Sequence, residues 1–523
     1  MGGGWSAAVG GCRAAALGLV AEALALRLER ESLDAGAVVV AADRLSLDPF
    51  LPPLMLELAS SPIGAPLGEG CTGFGTDGIR GQVGSLITPL LALQMGYWCG
   101  RVLPPERPVL IGMDSRNSGP MLAAALTAGL TAAGREVWNL GLCPTPAVPG
   151  TIRRVGAAGG LMVSASHNPP GDNGIKVFGP SGDKIDRTLQ AAIEAGLRGQ
   201  ETVTIQATGL SGPRGCGPAH QREDLLEGYR EALISSVGGR RLDGCRIVLD
   251  LCWGSATACG ASVFRALGAD LTVLHGEPDG QRINVSCGST HLEALRQAVL
   301  QSGAEMGFAF DGDADRMMAV DGKGRVVDGD QVLYLWGGAL LESGDLPGRL
   351  LVATVMSNLG FERAWQARGG LLQRTDVGDQ HVHAAMEASG AGLGGEQSGH
   401  ILSAQHGMSG DGLLTALQVA TLIHNGGCSL ADWMEASFEP YPQALVNVIV
   451  PDRSSRQQWQ RCDPLRQAVE QAETAMAGSG RVLVRASGTE PLLRVMVEAA
   501  EQEAVDHWSS HLAALASAHL NRS

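Results

Sequence analysis

Lysine is nearly absent from this chain, and aromatic residues are scarce. Of 39 basic residues among 523, only Lys176, Lys184 and Lys323 are lysines, and aromatic residues make up 4%. The formal net charge of −15 disfavours binding to nucleic-acid backbones or anionic membranes, and so few aromatics cannot build a base-stacking platform. We therefore expect no nucleic-acid or membrane partner. An anionic ligand would need positive charge concentrated locally in a cleft.

The sequence also lacks long apolar runs and paired cysteines. No run approaches the roughly 20 apolar residues that span a bilayer. None of the eleven cysteines forms a CxxC pair. The evenly spaced Cys245, Cys252 and Cys259 have no histidine cluster beside them to complete a zinc site. These features predict reduced thiols in a cytoplasmic protein.

Three segments, beginning near residues 107, 246 and 349, repeat one plan of apolar strand, helix and strand, which indicates buried sheets covered by helices. Beyond Tyr441 the strands and helices follow a different pattern. The predicted fold class is α/β, with three related α/β domains in series and a smaller α+β C-terminal domain. The predicted boundaries are an N-terminal extension of unknown role at 1–71, α/β domains at 72–224, 225–323 and 324–438, and the last domain at 439–523. A helix is expected around 13–33, and a start codon assigned too far upstream is the alternative explanation of the extension.

The most informative stretch is SASHNPPGDNGIKVF, residues 164–178. Ser166 follows the apolar run 161–163, so it is expected at a strand end, where an exposed hydroxyl can face a cleft. His167 and Lys176 lie on the same loop. A lysine kept in a chain that otherwise uses arginine suggests a point charge that meets a phosphate or gives up a proton. A turn-forming serine is the alternative for this motif taken alone.

A second motif, DGDADR, follows the predicted strand 306–310. It places Asp311, Asp313 and Asp315 at every second position, where their carboxylates can turn toward one ion. Hard oxygen ligands select Mg²⁺ or Mn²⁺ over zinc. The alternative, a solvated acidic loop, is disfavoured because three such close carboxylates repel one another without a cation.

Three further loops complete the pattern. GGEQSGH offers Glu396, Ser398 and His400 on a glycine-rich loop whose composition suits sugar hydroxyls, and FGTDGIRG adds Arg80. RASGTEP, followed by an arginine, combines backbone donors, hydroxyls and guanidinium forks in a phosphate cradle; its residues are Arg485, Ser487, Gly488, Thr489 and Arg494. Together the loops indicate phosphoryl transfer on a phosphosugar.

With these motifs in this order, the chain resembles the α-D-phosphohexomutases over about residues 72–500. FGTDGIRG, INVSCGSTHLEAL and VMSNLG make it most similar to the bacterial members that act on glucosamine phosphates. The resemblance implies four domains around a central cleft, with a last domain that can rotate. Two positions depart from the usual motifs: Ala486 replaces a proline, and Ala314 replaces a glycine more typical of the glucosamine-specific members.

The resemblance also implies the residue roles. Ser166 would carry the phosphate and bind one Mg²⁺ per active site, together with Asp311, Asp313 and Asp315. Arg80, His167 and Lys176 would assist transfer, with acid and base unassigned. Glu396, Ser398 and His400 would bind the sugar, and the Arg485 loop would bind the phosphate that does not react.

The implied reaction converts glucosamine 6-phosphate to glucosamine 1-phosphate, with a hexose 1,6-bisphosphate as intermediate and primer, and feeds UDP-N-acetylglucosamine synthesis. Two alternatives stay open: a mutase for glucose or mannose phosphates, and a phosphosugar-binding protein without turnover. A homodimer is one assembly that the sequence leaves open.

Overall fold

A computed structural model describes residues 67–68, 73–75, 77–200, 216–487 and 491–520. The helix expected at 13–33 and nearly all of the 1–71 extension therefore lie outside the described residues. Two compact units result. The first unit consists of the described residues up to Val326 and of His400–Gly427. The second unit consists of Val327–Gly399 and the described residues from Cys428 onward.

The first unit contains a six-stranded mixed sheet of order β1-β5-β4-β2-β3-β6. Strand β4 is buried along its whole length and pairs in parallel with β2 and antiparallel with β5. The bounds are β1 Ile79–Gln82, α1 Pro89–Val102, β2 Val109–Met113, α2 Gly119–Ala132, β3 Val137–Leu142, α3 Ala147–Val155, β4 Gly159–Val163, β5 Asp172–Phe178, α4 Arg187–Leu197 and β6 Ala219–Gln221.

The second sheet of this unit places β9 between β7, in parallel, and β10, antiparallel. The fully apolar strand β9 is buried throughout and ends directly before Asp311. The strands of this sheet are β7 Arg246–Asp250, β8 Asp270–Leu274, β9 Met306–Phe310, β10 Met317–Asp321 and the two-residue β11 Val326–Val327. The remaining elements of the unit are α5 Leu226–Ser236, α6 Gly260–Ala266, α7 Glu293–Ser302, α11 Gly412–Gly426 and strand β15 Ile401–Ser403, which is not part of this sheet.

Helix α11 belongs to the first unit, although the predicted domain 324–438 contains its sequence. Asp411 caps this helix by accepting from the Leu414 N–H, and the Gly412 N–H donates to the Ala314 carbonyl at 3.0 Å. A Cβ at Gly412 would lie 2.4 Å from the Arg316 carbonyl oxygen, so this close approach requires glycine. The helix start therefore supports the loop that carries the three aspartates.

The second unit contains two sheets. In one, β12 pairs in parallel with β13 and β14. In the other, β18 lies between β16 and β17, all antiparallel, and two long helices share its apolar core. The bounds are α8 Gly329–Ser343, β12 Leu350–Thr354, α9 Leu359–Ala367, β13 Leu371–Thr375, α10 Asp379–Ser389, β14 Leu393–Gly395, α12 Leu430–Ala436, β16 Gln443–Ile449, α13 Arg453–Gln457, α14 Asp463–Met476, β17 Gly480–Ala486, β18 Leu492–Ala499 and α15 Gln502–Leu520.

The α/β architecture and the change of pattern beyond Tyr441 are confirmed, and the first strands of the three repeats begin at Val109, Arg246 and Leu350, close to the predicted positions. Residues 198–224 are rich in Gly, Pro, Ser and Thr, a composition that predicts only a connection between domains, but strand β6 forms within them. Its three residues, Ala219, His220 and Gln221, are all exposed at the sheet edge, so no buried apolar pattern marks them. No helix among the described residues is long and apolar enough to cross a membrane.

Candidate active site

Ser166 lies on the loop between β4 and β5. Its backbone has a φ of +52°, and the residue is fully buried, where the sequence had suggested an exposed hydroxyl. Its N–H donates to Ser164 Oγ at 2.9 Å, and Ser164 Oγ donates in turn to Asp114 Oδ2 at 2.7 Å. A left-handed non-glycine residue persists only where its surroundings hold it. These side-chain hydrogen bonds fix the turn that aims the serine.

The buried guanidinium of Arg116 holds the same loop from beneath. It pairs with Asp114 at 3.0 Å and donates to the carbonyl oxygens of Ser166 at 2.9 Å and Asn168 at 2.7 Å. It also donates to the carbonyls of Pro169 and Asp172. The planar fork of arginine suits such a set of fixed acceptors, which a lysine could not match.

The hydroxyl of Ser166 contacts the aspartate loop. Ser166 Oγ donates to Asp311 Oδ2 at 2.5 Å, and a Cβ at Gly312 would lie 2.7 Å from the Ser166 carbonyl oxygen. Between the last two aspartates, Ala314 has a φ of +57°. Glycine adopts this conformation without strain, which gives a physical reason for the glycine that is more usual there.

Lys176 lies against the aspartates from strand β5. Its Nζ is 2.7 Å from Asp313 Oδ2, 2.8 Å from Asp315 Oδ2 and 2.9 Å from Asp77 Oδ2. Burial alone would lower the pKa of this ammonium, but the three carboxylates raise it well above its ordinary value. Asp77 also forms ion pairs with Arg80 and with Lys184, so three cationic side chains contact this one carboxylate.

Two histidines complete this cluster. His167 Nδ1 lies 3.3 Å from Ser166 Oγ and 3.1 Å from an Arg316 guanidinium nitrogen. Burial and the charge of Arg316 lower the pKa of His167 to about 4, so the ring is neutral near pH 7. The buried His400 lies with its Nδ1 3.6 Å from Asp315 Oδ1. It therefore contacts a candidate metal ligand in the first unit, whereas Glu396 and Ser398 belong to the second.

The three aspartates fit a divalent cation. Each offers a carboxylate oxygen, these oxygens lie within 4.8 Å of one another, and all three residues are buried. Asp313 Oδ1 is buried and accepts no hydrogen bond from any described residue. Burial and the other two carboxylates raise the pKa of Asp311 well above its ordinary value, which reflects the cost of crowding negative charge. An oxygen-only donor set is the kind that Mg²⁺ prefers.

In the second unit, Glu396 follows strand β14 on the glycine-rich loop. It is half-buried, and its Oε1 accepts the Gly378 N–H at 3.0 Å while Ser398 Oγ donates to Oε2 at 3.4 Å. Gln397 Nε2 donates to Asp328 Oδ2 at 3.1 Å, which ties this loop to the start of helix α8. Ser398 is exposed and Glu396 is only half-buried, so a hydroxylated ligand can reach both side chains.

Arg485 and Arg494 stand directly opposite each other on strands β17 and β18. Burial and the like charge of Arg494 lower the pKa of Arg485, and the buried Arg485 Nε has no hydrogen-bond partner among the described residues. Ser487 closes the adjacent turn by donating its N–H to the Leu492 carbonyl at 2.8 Å. Two facing guanidinium groups favour an anion between them. Gly488 and Thr489 lie outside the described residues.

The structure brings Ser166, His167, Lys176, Arg80 and the three aspartates into one cluster, as their sequence motifs had suggested. Sequence reasoning missed Asp77, which lies in the same loop as Arg80, and Arg316, which closes the DGDADR motif. Both stand inside motifs that had been singled out, so attention to their charged neighbours could have found them. Arg116 and Thr145, whose Oγ1 donates to Asp313 Oδ2 at 2.5 Å, carry no comparable signal.

Comparison with known proteins agrees with this geometry. Family models of phosphoglucomutase/phosphomannomutase match the chain in order: alpha/beta/alpha domain I at 72–203, domain II at 227–324, domain III at 328–441 and the C-terminal domain at 445–515. Among solved structures, a phosphoglucomutase/phosphomannomutase family protein from Burkholderia thailandensis shares the fold, with a TM-score of 0.70 at 23% identity, covering 87% of this chain and 98% of its own.

An Aspergillus fumigatus N-acetylphosphoglucosamine mutase, solved in complex with GlcNAc-6P and magnesium, has a TM-score of 0.63 at 17% identity, covering 90% of this chain and 99% of its own. A phosphoglucosamine mutase from Synechococcus sp. (strain WH7803) is 71% identical over 86% of this chain and 96% of its own length. A second phosphoglucosamine mutase, from Prochlorococcus marinus (strain MIT 9313), is 68% identical over 90% of this chain and 99% of its own length. With all four domains matched in order around the serine and aspartate motifs, the chain belongs to the phosphoglucomutase/phosphomannomutase family.

Proposed function

We propose that this protein is a phosphoglucosamine mutase, which interconverts glucosamine 6-phosphate and glucosamine 1-phosphate through a phosphate carried on Ser166. The observation that carries the proposal is the contact of 2.5 Å between Ser166 Oγ and Asp311, at the edge of three buried aspartates. The relatives at 66–71% identity, all named phosphoglucosamine mutase, support the choice of sugar.

The proposed chemistry is a pair of phosphoryl transfers. In the first, the bond between phosphorus and Ser166 Oγ breaks while phosphorus bonds to the free sugar oxygen, whose proton leaves. The resulting glucosamine 1,6-bisphosphate then reverses its orientation in the site. Its other phosphate is transferred to Ser166. Arg485, Ser487 and Arg494 would hold the phosphate that is not transferred, and Glu396 and Ser398 would bind sugar hydroxyls.

Groups near Ser166 can serve these steps. His167 Nδ1, at 3.3 Å from Ser166 Oγ, is close enough to exchange the hydroxyl proton through a small movement. Arg80 and Lys176 supply positive charge on the same side. Asp311, Asp313, Asp315 and the phosphate on Ser166 would bind magnesium, which would neutralise charge on the transferred group. Burial of Ser166 protects its phosphate from water, which would otherwise make the enzyme a phosphatase.

The sugar is tested by comparing kcat/KM for glucosamine, glucose and mannose 6-phosphates, with glucose 1,6-bisphosphate as primer. We expect glucosamine 6-phosphate to be preferred. A preference for glucose or mannose phosphate would instead support the alternative that Ala314 suggests, a phosphoglucomutase or phosphomannomutase.

The phosphoserine is tested by intact-mass measurement after incubation with glucose 1,6-bisphosphate. The wild-type protein and the control Ser302→Ala, which changes an exposed serine at the end of helix α7, should gain one phosphate, whereas Ser166→Ala should gain none and lose mutase activity. Full activity in Ser166→Ala would rule out the mechanism, and phosphorylation without turnover would favour a binding protein.

The cytoplasm is the proposed location, and the nine free cysteines of the described residues suit it.

A further inference from the structure

Two buried cysteines of the first unit form a close pair outside the site described above. Cys252 follows strand β7, Cys287 lies in the loop before helix α7, and their sulfur atoms are 3.8 Å apart. Both are free thiols, and Cys252 has a φ of +59°. A disulfide requires an S–S distance of about 2.05 Å, so modest side-chain rotations would join them.

The surroundings of Cys287 are those of an activated thiol. His275 Nδ1 lies 2.8 Å from Asp250 Oδ1, and ligand atoms of Asp250, His275 and Cys287 lie within 4.8 Å of one another. The contact with Cys252 lowers the pKa of Cys287 and nearby His275 lowers it further, although burial and the negative charge of Asp250 oppose them. The hydrogen bond to Asp250 raises the pKa of His275. A thiolate stabilised by a neighbouring histidine reacts more readily with oxidants.

Thiol chemistry suits this cluster better than metal binding. Asp250 Oδ1 already accepts the Cys252 N–H at 2.9 Å besides contacting His275, and Asp250 Oδ2 accepts the Gly288 N–H at 3.0 Å. Both carboxylate oxygens are therefore engaged in holding the two loops that carry the cysteines. Cys287 also directly follows two exposed residues, Val285 and Ser286, so it lies just beneath the surface.

The pair is connected to the Ser166 loop through one amide. Cys252 Sγ donates to Asn284 Oδ1 at 3.1 Å, and Asn284 Nδ2 donates to the carbonyl oxygens of Ser166 at 2.8 Å and Asn168 at 3.0 Å. The thiol proton of Cys252 thus helps to orient the amide that holds the loop. Loss of this proton leaves Asn284 Oδ1 without that donor.

We propose that Cys287 and Cys252 form a redox-active dithiol whose oxidation to a disulfide slows the chemistry at Ser166. Hydrogen peroxide is the oxidant. The Cys287 thiolate attacks one peroxide oxygen, becomes a sulfenic acid, and releases hydroxide, which takes up a proton to give water. The Cys252 sulfur then attacks the Cys287 sulfur, loses its own proton and expels a second water. Two thiols and one peroxide thus give one disulfide and two waters, the two electrons passing to peroxide.

The test uses the full-length protein, reduced and then treated with hydrogen peroxide, with peptide mapping and mutase assays before and after dithiothreitol. We expect a peptide linked through Cys252 and Cys287, a reduction of roughly fivefold to tenfold in rate because one buried hydrogen bond is removed, and recovery when the disulfide is reduced. Cys252→Ser keeps a donor for Asn284, so it should remain active and show no reversible loss. Cys99→Ala removes another buried thiol and should behave as wild type.

Absence of the linked peptide would overturn the proposal. An equal, reversible loss in Cys252→Ser, or a linked peptide with unchanged activity, would refute the coupling to Ser166. The coupling rests on the proposed function, but the disulfide does not. If the reduced protein has no mutase activity, the proposed function fails, while peptide mapping still decides on the disulfide, and phosphorylation of Ser166 by glucose 1,6-bisphosphate then reports on the coupling.

Discussion

In the first unit, charges of opposite sign are buried and pair with one another, whereas in the second unit two arginines of like charge face each other. In the first unit, the single ammonium group of Lys176 contacts three carboxylates, and Asp77 pairs with three cationic side chains. Arg485 and Arg494 instead face each other with like charge, although Asp376 and Glu396 attract Arg485. The network of the first unit leaves Asp313 Oδ1 without a hydrogen bond among the described residues, so a cation fits beside the aspartates, whereas facing guanidinium groups favour an anion. The difference suggests that the first unit performs chemistry and the second binds substrate.

The strongest test of this division is Asp311→Asn. Removing one of three close carboxylates should lower kcat by about 10³-fold, because the proposed cation and the hydrogen bond with Ser166 are both weakened. The same change removes negative charge from a crowded site, so the melting temperature measured in EDTA should stay the same or rise. Steady-state kinetics and thermal unfolding check the two effects. A variant that keeps wild-type kcat would show that the aspartates do not act in the reaction.

Arg485→Ala should act on binding instead. We expect KM to rise roughly 10- to 100-fold with a smaller change in kcat, because this guanidinium would bind the phosphate equally in the ground state and in the transition state. Arg485→Lys keeps the charge but not the guanidinium fork and serves as the matched control. Its KM should lie between those of the wild type and Arg485→Ala. If Arg485→Ala lowers kcat as strongly as Asp311→Asn does, the two units are not divided in this way.

The buried acid Asp411, at the start of helix α11, shows what burying a carboxyl group costs the fold. Burial raises the pKa of Asp411 to about 6, although its carboxylate accepts a hydrogen bond from the Tyr229 hydroxyl, which lies 3.0 and 3.1 Å from the two oxygens. The raised pKa means that the folded protein favours the protonated acid, so this contribution to stability is complete below about pH 4 and is lost as the pH rises through 6. Relative to Asp411→Asn, wild type should lose about 2 kcal/mol of unfolding free energy between pH 4 and 7.

Denaturant unfolding at several pH values measures this difference. The asparagine keeps an oxygen that can cap helix α11, so the variant should fold and its stability should change less with pH. Parallel pH profiles for the two proteins would contradict the raised pKa.

The smallest effect is expected at Ala314. Because this residue has a φ of +57°, Ala314→Gly relieves strain of about 1–2 kcal/mol, partly offset by the entropy of glycine in the unfolded chain. The free energy of unfolding should rise by less than about 1 kcal/mol. The control Ala319→Gly, on strand β10, should lower it by a similar amount. Equal destabilisation by both changes would mean that Ala314 is not strained.

Sequence predicted those parts of the fold and site that leave a local pattern. Apolar strands such as 306–310 and the motifs around Ser166 and Asp311 are contiguous, so their residues are visible together. Strand β5 was not recognised, because it begins Asp-Asn-Gly and its place between β1 and β4 depends on distant partners. The approach of His400 to Asp315, and of Arg116 to the carbonyls of the Ser166 loop, depends on tertiary packing that no local spacing encodes.

The hydrogen bonds of Arg116 have a consequence for mutational tolerance. Four of its acceptors are backbone carbonyls, those of Ser166, Asn168, Pro169 and Asp172, so the guanidinium recognises the course of the loop rather than its side chains. Substitutions between 167 and 172 that preserve this course can leave the position of the reactive hydroxyl intact. The residue that cannot be replaced is Arg116 itself, which precedes Ser166 by fifty residues in the chain. A library that varies the loop should therefore yield many folded sequences, whereas one that varies position 116 should yield almost none.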